Sequence, residues 1–330
     1  MNESVEKINS APEAFAAETG APKGEKKRFH WGANERRALY GAVTAAIPLI
    51  GYLLFNLVPL VIAIVTMFVD MEGYDFGSMS WNNFANFGEV FSDPRFYKSI
   101  GVSFTFVVPH MLGLLISLLL SALIAQKLPA HKFFKAIYFV PYICSSVAVS
   151  VMWRWIFDQN IGILNDIIMR ITGGAEGPRW FTEAGSFTAM LITVMVWQAP
   201  GYGIVMFAAA FTNVNPALYE AAELDGANAF RKFTSVTLPA ISPTIFYLLI
   251  AGLIAGLQTF DIPQIFAGDS WTGAAGPDDA ALSTVLYIYQ KGLFNSMPIA
   301  SVMSMVLFVV IFTVMVINFK LSNKWVSYDV

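Results

Sequence analysis

Asn215-Pro216-Ala217-Leu218-Tyr219-Glu220-Ala221-Ala222-Glu223-Leu224-Asp225-Gly226-Ala227 lies between two long apolar runs, 188–212 and 241–267, and its reading decides the fold. Asn followed by Pro starts a helix. The Asn215 side chain can cap the first free N–H groups, and Pro216 suits the first helical position, where an N–H would have no partner anyway. The pattern predicts a short helix over 216–225. Ala221 and Ala222 leave little side chain on it, so another surface can approach closely. Gly226 permits the left-handed residue that ends a helix. A second short helix is expected over about 227–235, carrying Phe230 and Phe233. Pro239 and Pro243 then restart the chain as the next apolar run, where proline is tolerated near a helix beginning. A helix lying on lipid would want basic flanks, and only Arg231 and Lys232 supply them. A docking surface for another protein is the favoured reading.

The rest of the chain puts this loop between membrane spans. Of 330 residues, 56% are hydrophobic and 13% charged, against roughly 25% charged in an average soluble domain. Crossing a bilayer takes about 20 mostly apolar residues. Six stretches qualify: 43–69, 99–125, 136–157, 188–212, 241–267 and 297–319. The third is interrupted at its outer end by Trp153-Arg154-Trp155, a pattern suited to the interface, where the guanidinium snorkels to water. Residues 1–38 are polar, lack an apolar face and read as a disordered tail. The first apolar run is too long for the core of a signal peptide, so it reads as an uncleaved span.

Lys and Arg set the orientation. Fourteen of the 20 fall on the side of the N-terminal tail, among them Lys26, Lys27, Arg28, Arg36, Arg37, Lys127, Lys132, Lys135, Arg231, Lys232, Lys320 and Lys324. The positive-inside rule then places both termini, and the 213–240 loop, in the cytoplasm. The six stretches contain no Glu or Lys; Arg154 lies near one end of the third and Asp261 in the outer part of the fifth. That scarcity argues against a carrier driven by protons or sodium, which usually keeps ionisable groups within its spans. His110, after Pro109, reads as a neutral, hydrogen-bonded histidine rather than a proton relay. No cluster of His, Asp, Glu or Cys suggests an intramembrane enzyme. Cys144, the single cysteine, excludes an intramolecular disulfide and is expected to be a small buried hydrophobe. No GxxxxGK[ST] phosphate loop occurs, so energy for active transport would have to come from another subunit.

At this point a resemblance becomes specific. Glu220-Ala221-Ala222 with Gly226, continuing through Leu238-Pro239, is similar to the "EAA" loop of ABC importer permeases, with Val236 where Ile is common. The resemblance runs over about 36–328 and points to the carbohydrate-uptake branch that contains maltose and glycerol-phosphate permeases. Its external segments resemble Trp81-Asn82-Asn83-Phe84, Asp93-Pro94-Arg95-Phe96, Trp153-Arg154-Trp155-Ile156-Phe157-Asp158 with Gly162 and Asn165, and Ala275-Gly276-Pro277 with Tyr287-Ile288-Tyr289. The C-terminal Trp325-Val326-Ser327-Tyr328 is similar too, and the chain looks like the shorter six-span members.

The resemblance implies an all-α polytopic protein of the bacterial inner membrane, with six spans and a cytoplasmic coupling-helix loop. Glu220, Ala221, Ala222, Asp225, Gly226, Ala227, Phe233 and Pro239 would dock into an ATPase, and Glu220 would pair with a basic residue there. The implied partners are a second homologous permease subunit, two ATPase subunits, an extracytoplasmic solute-binding protein and the lipid bilayer, with no nucleic acid. ATP and Mg would sit on the ATPase, with no cofactor on this chain.

For the solute path, a sugar needs hydrogen-bonding groups for its hydroxyls and aromatic faces for its rings. Gln198 and Tyr202, four apart, share one helix face. Gly252, Ala255, Gly256 and Thr259 form a small-residue stripe that serves either the path or close helix packing. Gln258 lies nearby, and Asp261 is expected toward the external vestibule.

Overall fold

The computed structural model describes residues 33–125, 131–174, 176–268, 273–294 and 296–327. The chain divides into two units, Met1–Pro59 and Leu60–Val330. In the first, a helix already runs from Ala33 to Tyr52, so the polar tail read over 1–38 ends earlier than expected; 1–32 lie outside the described residues. Arg36 and Arg37 thus belong to the helix.

Helices long and apolar enough to cross a membrane occupy Tyr40–Thr66, Pro94–Ile124, Ala184–Thr212, Ser242–Ala267 and Met297–Ser322. These correspond to the first, second, fourth, fifth and sixth expected spans. The third, over 136–157, is broken: Lys135–Ile143 and Ser146–Ile156 are long and apolar enough only together, and they meet at a bend of 102°. Apolarity measures length but carries no direction. Pro141 removes a helix-interior donor, and Ser145, extended at ψ 131°, turns the chain before the second piece starts.

Boundaries shift where polar chemistry outranks hydropathy. The second span begins at Pro94, not 99, because the Asp93 carboxylate accepts from Arg95 N at 2.9 Å and proline fills the first helical position. The first span ends at Thr66, not 69. Val69–Asp70 pairs antiparallel with Ser80–Trp81, and the Asn86 amide donates to the Met67 and Val69 carbonyls at 3.2 and 2.9 Å. A buried asparagine therefore satisfies backbone groups freed by the helix end.

Span two runs against spans four and five, and small residues permit the approach. A Cβ added at Gly113 would come within 2.4 Å of the Ala199 Cβ, at Gly203 within 2.3 Å of the Ser117 Oγ, and at Gly256 within 2.6 Å of the Val107 Cα. The largest core has Phe96, Phe106, Phe157, Phe187, Leu191 and Leu286 fully buried. A smaller core of Phe207, Val214, Ile241 and Leu248 sits where spans four and five enter the 213–240 loop. Leu112, Leu115, Leu119, Leu123, Phe308 and Phe312 stay exposed, as apolar side chains turned toward lipid or a neighbouring subunit would.

Candidate functional site

The loop takes the shape its caps dictate. Asn215 accepts from Ala217 N at 3.0 Å, Pro216 is the first helical residue, and the helix spans Pro216–Leu224. Gly226 adopts φ 72°. Its N–H reaches the Glu223 carbonyl at 3.0 Å while Ala227 N reaches Ala222 O at 2.9 Å, the paired bonds of a Schellman stop. The second helix is shorter than expected, Ala229–Lys232, capped by Asn228; a π-helical turn, Phe233–Thr237, takes up the remainder. Pro239 lies in the next turn, Leu238–Ala240, and Pro243 opens Ser242–Leu257.

One face of this loop is tied down and the other is open. Tyr219 and Thr237 share a hydroxyl–hydroxyl bond of 2.9 Å, and Tyr219, Val236 and Leu238 pack on the Phe207–Ile241 core. Lys232 Nζ donates to Glu223 at 2.7 Å, clamping one short helix to the other. That hydrogen bond, and then the ammonium charge, hold the Glu223 carboxyl below the usual range. Glu220, Ala221, Asp225 and Gly226 are exposed, and Glu220 makes no ion pair among the described residues. Leu224 is 89% and Phe230 76% exposed. Phe233, chosen from sequence, is half-buried, as are Ala222, Ala227 and Pro239. The aromatic group offered outward is therefore Phe230. Both phenylalanines stand in the sequence pattern, but which one faces out depends on the π-helical turn.

Above the loop, the same two spans line a cavity of about 740 Å³ together with spans two and three. All five residues picked for the path, Gln198, Tyr202, Gly252, Gln258 and Asp261, are on its wall. The small-residue stripe divides: Gly252, Ala255 and Thr259 face the cavity, whereas Gly256 is buried against span two. Sequence reasoning missed Tyr142. Its ring stacks on Tyr202 with centroids 5.7 Å apart and 28° between planes, and the Tyr202 hydroxyl meets that of Tyr247 at 3.0 Å. Helical spacing relates residues within one helix; only the bend in span three brings Tyr142 across. Cys144, at that bend, is exposed and lines the cavity, contrary to the buried position expected for it. His110 binds the Phe106 carbonyl of its own helix through Nδ1 at 3.0 Å, as a structural histidine does.

Residues 113–328 match the family described as "Binding-protein-dependent transport system inner membrane component". The chain belongs to this family. It is 32% identical over 288 residues to the probable ABC transporter permease protein YesP of Bacillus subtilis, covering 85% of this chain and 89% of that one. It is 27% identical over 280 residues to the arabinooligosaccharides transport system permease protein AraP of the same organism, covering 84% and 86%. Among solved structures, one titled as a bacterial alginate ABC transporter in complex with an alginate pentasaccharide-bound periplasmic protein shares the fold. Its TM-score is 0.76 at 23% identity, covering 88% of this chain and 96% of that one.

A second set of bonds joins motifs that lie far apart in sequence. Arg95, from the Asp93-Pro94-Arg95-Phe96 segment, grips Asp279, which follows Ala275-Gly276-Pro277, with Nη2 to Oδ1 at 2.6 Å and Nε to Oδ2 at 2.7 Å, and also donates to the Gly273 carbonyl. Lys98 meets Asp278 at 2.6 Å, and the Tyr287 hydroxyl donates to Asp93 at 2.5 Å. The Arg95 guanidinium lies over the Tyr287 ring, 5.2 Å from its centroid. The Arg95 hydrogen bond is the largest cause holding the Asp279 carboxyl below the usual range. Gly276, at φ 74°, faces Phe187 so closely that a Cβ would stand 2.8 Å from its ring. Shorter-range bonds shape the middle motif. Asp158 caps Asn160 N and Ile161 N, while Asn165 accepts from Trp180 Nε1 at 2.7 Å.

Proposed function

We propose that this chain forms the membrane pathway of an ATP-driven carbohydrate importer and receives its energy through the 220–243 loop from a separate ATPase. One observation carries the reading: spans four and five hold the loop at their inner ends and wall the cavity further out. A push on Glu220, Leu224 or Phe230 would pass through the Tyr219–Thr237 bond and the Phe207–Ile241 core into the helices around the cavity. The loop would act as a lever that shifts the cavity between inward- and outward-facing populations. A carbohydrate, and an oligosaccharide in particular, is supported by the printed name of AraP, an arabinooligosaccharides transport system permease protein. It is supported further by the cavity's mixture of aromatic and amide groups.

In this arrangement a second permease faces the first, two ATPases sit beneath them carrying ATP and Mg, and an external binding protein delivers solute. The chain itself performs no catalysis. The excess of Lys and Arg on the loop side supports both termini in the cytoplasm. The test is uptake by the assembled importer with Glu220→Lys. Uptake is expected to vanish while the subunit still inserts, and normal uptake with that variant would sink the docking role.

A further inference from the structure

Resting on the reading of the cavity as the solute path, its charge can be taken one step further. Among its described lining residues the only formally charged group is Asp261; no Lys or Arg is present. Hydroxyl-seeking groups are plentiful: Gln198, Gln258, Ser117 and Thr259. The stacked Tyr142–Tyr202 pair adds an apolar face of the kind that covers a sugar ring. His110 gives Nδ1 to the Phe106 carbonyl, a bond that an uncharged ring can make. Arg154, close to the bend in sequence, does not line the cavity, and neither does Lys135. The Arg154 Nη1 donates to the Ile265 carbonyl at 3.1 Å, and its guanidinium lies over Phe181.

The helix Asp261–Ala267 could have offered its positive end to an anion, but Asp261 occupies that first turn. A full negative charge there outweighs the roughly half-unit positive charge of a helix end. An anionic sugar against this wall would thus lose water and meet repulsion with no cation among this subunit's described lining residues to compensate, the costly case for a charge in a low-dielectric site.

We propose that this subunit's cavity admits uncharged sugars and rejects uronates and sugar phosphates, with Asp261 as the group that discriminates. Cys144, on the same wall and the chain's single cysteine, reports the local potential without engineering. In the assembled importer in lipid, its modification by a cationic and by an anionic methanethiosulfonate is followed by mass spectrometry of its peptide. Each rate is normalised to the same reagent on a free small thiol. The cationic reagent is expected to win by on the order of tenfold, the size of one unit charge acting across a partly hydrated cleft. Asp261→Asn, which keeps the side chain's size, should bring the ratio close to unity. A neutral arabino-oligosaccharide should slow modification, and an oligouronate of matched length should not. Equal reagent rates in the unaltered protein, or protection by the oligouronate, would overturn the proposal. Glu220→Lys leaves the cavity wall untouched, so failure of the docking reading would show in uptake and not in this ratio.

Discussion

The 213–240 loop and the 273–283 segment are both polar connections between spans, yet they use their charges in opposite ways. Around the 273–283 segment, Arg95, Asp279, Lys98, Asp278, Asp93 and Tyr287 satisfy one another within the chain. In the 213–240 loop, among the described residues, only Glu223 and Lys232 form an ion pair, while Glu220 makes none and Leu224 and Phe230 are exposed. The first network stabilises this subunit's own fold. The loop leaves its charge and its apolar groups available to a partner. Changes in the network should therefore appear as lost stability, and changes in the loop as lost coupling with stability intact.

The sharpest way to break this contrast is at Gly226. A Cβ there meets no atom within 4 Å, so in the isolated subunit Gly226→Leu costs only left-handed backbone strain, about 1–2 kcal/mol. Uptake is nevertheless expected to fall on the order of a hundredfold, as for loss of an interface hot spot. Gly226→Asn, better suited to that backbone, separates the two effects by melting temperature and uptake measured together. Next in size is Arg95→Ala, which strands Asp279 and frees the Gly273 carbonyl. Loss of hydrogen bonds to a partly buried charge predicts about 2 kcal/mol of destabilisation in a thermal or denaturant assay, with ATPase binding unchanged per folded molecule.

Phe230→Ala should weaken capture of the ATPase by about tenfold, whereas Phe233→Ala should act through loop stability instead. Binding and melting curves together distinguish them. The smallest effect is expected at Glu223→Gln, because an exposed ion pair contributes little; the melting temperature should not move measurably. In pH terms, the depressed Asp279 carboxyl contributes stability that is present above the ordinary carboxylate range and lost as pH falls through its lowered value. Stability at acid pH should therefore fall less steeply with pH in Asp279→Asn than in the unaltered protein.

Much of the inner loop could be read from local chemistry, because caps are local. Asn215-Pro216 and Gly226 act within a turn, and their partners lie two to five residues away. The bend in span three could not be read by hydropathy, since 136–157 is apolar whether straight or folded. For the same reason Tyr142 escaped notice and Cys144 was expected to be buried. Asp93-Pro94-Arg95 and Ala275-Gly276-Pro277 were visible as motifs, but their pairing depends on the return of the chain across the membrane. No local pattern encodes that contact.

The central claim is that the loop moves the cavity, and the accessibility of Cys144 measures it most directly. In the assembled importer, ATP with loaded binding protein should change the rate at which a neutral thiol reagent modifies Cys144. In Glu220→Lys the rate should stay at its resting value, although the subunit is inserted and folded. A nucleotide-dependent change of the same size in that variant would contradict the account.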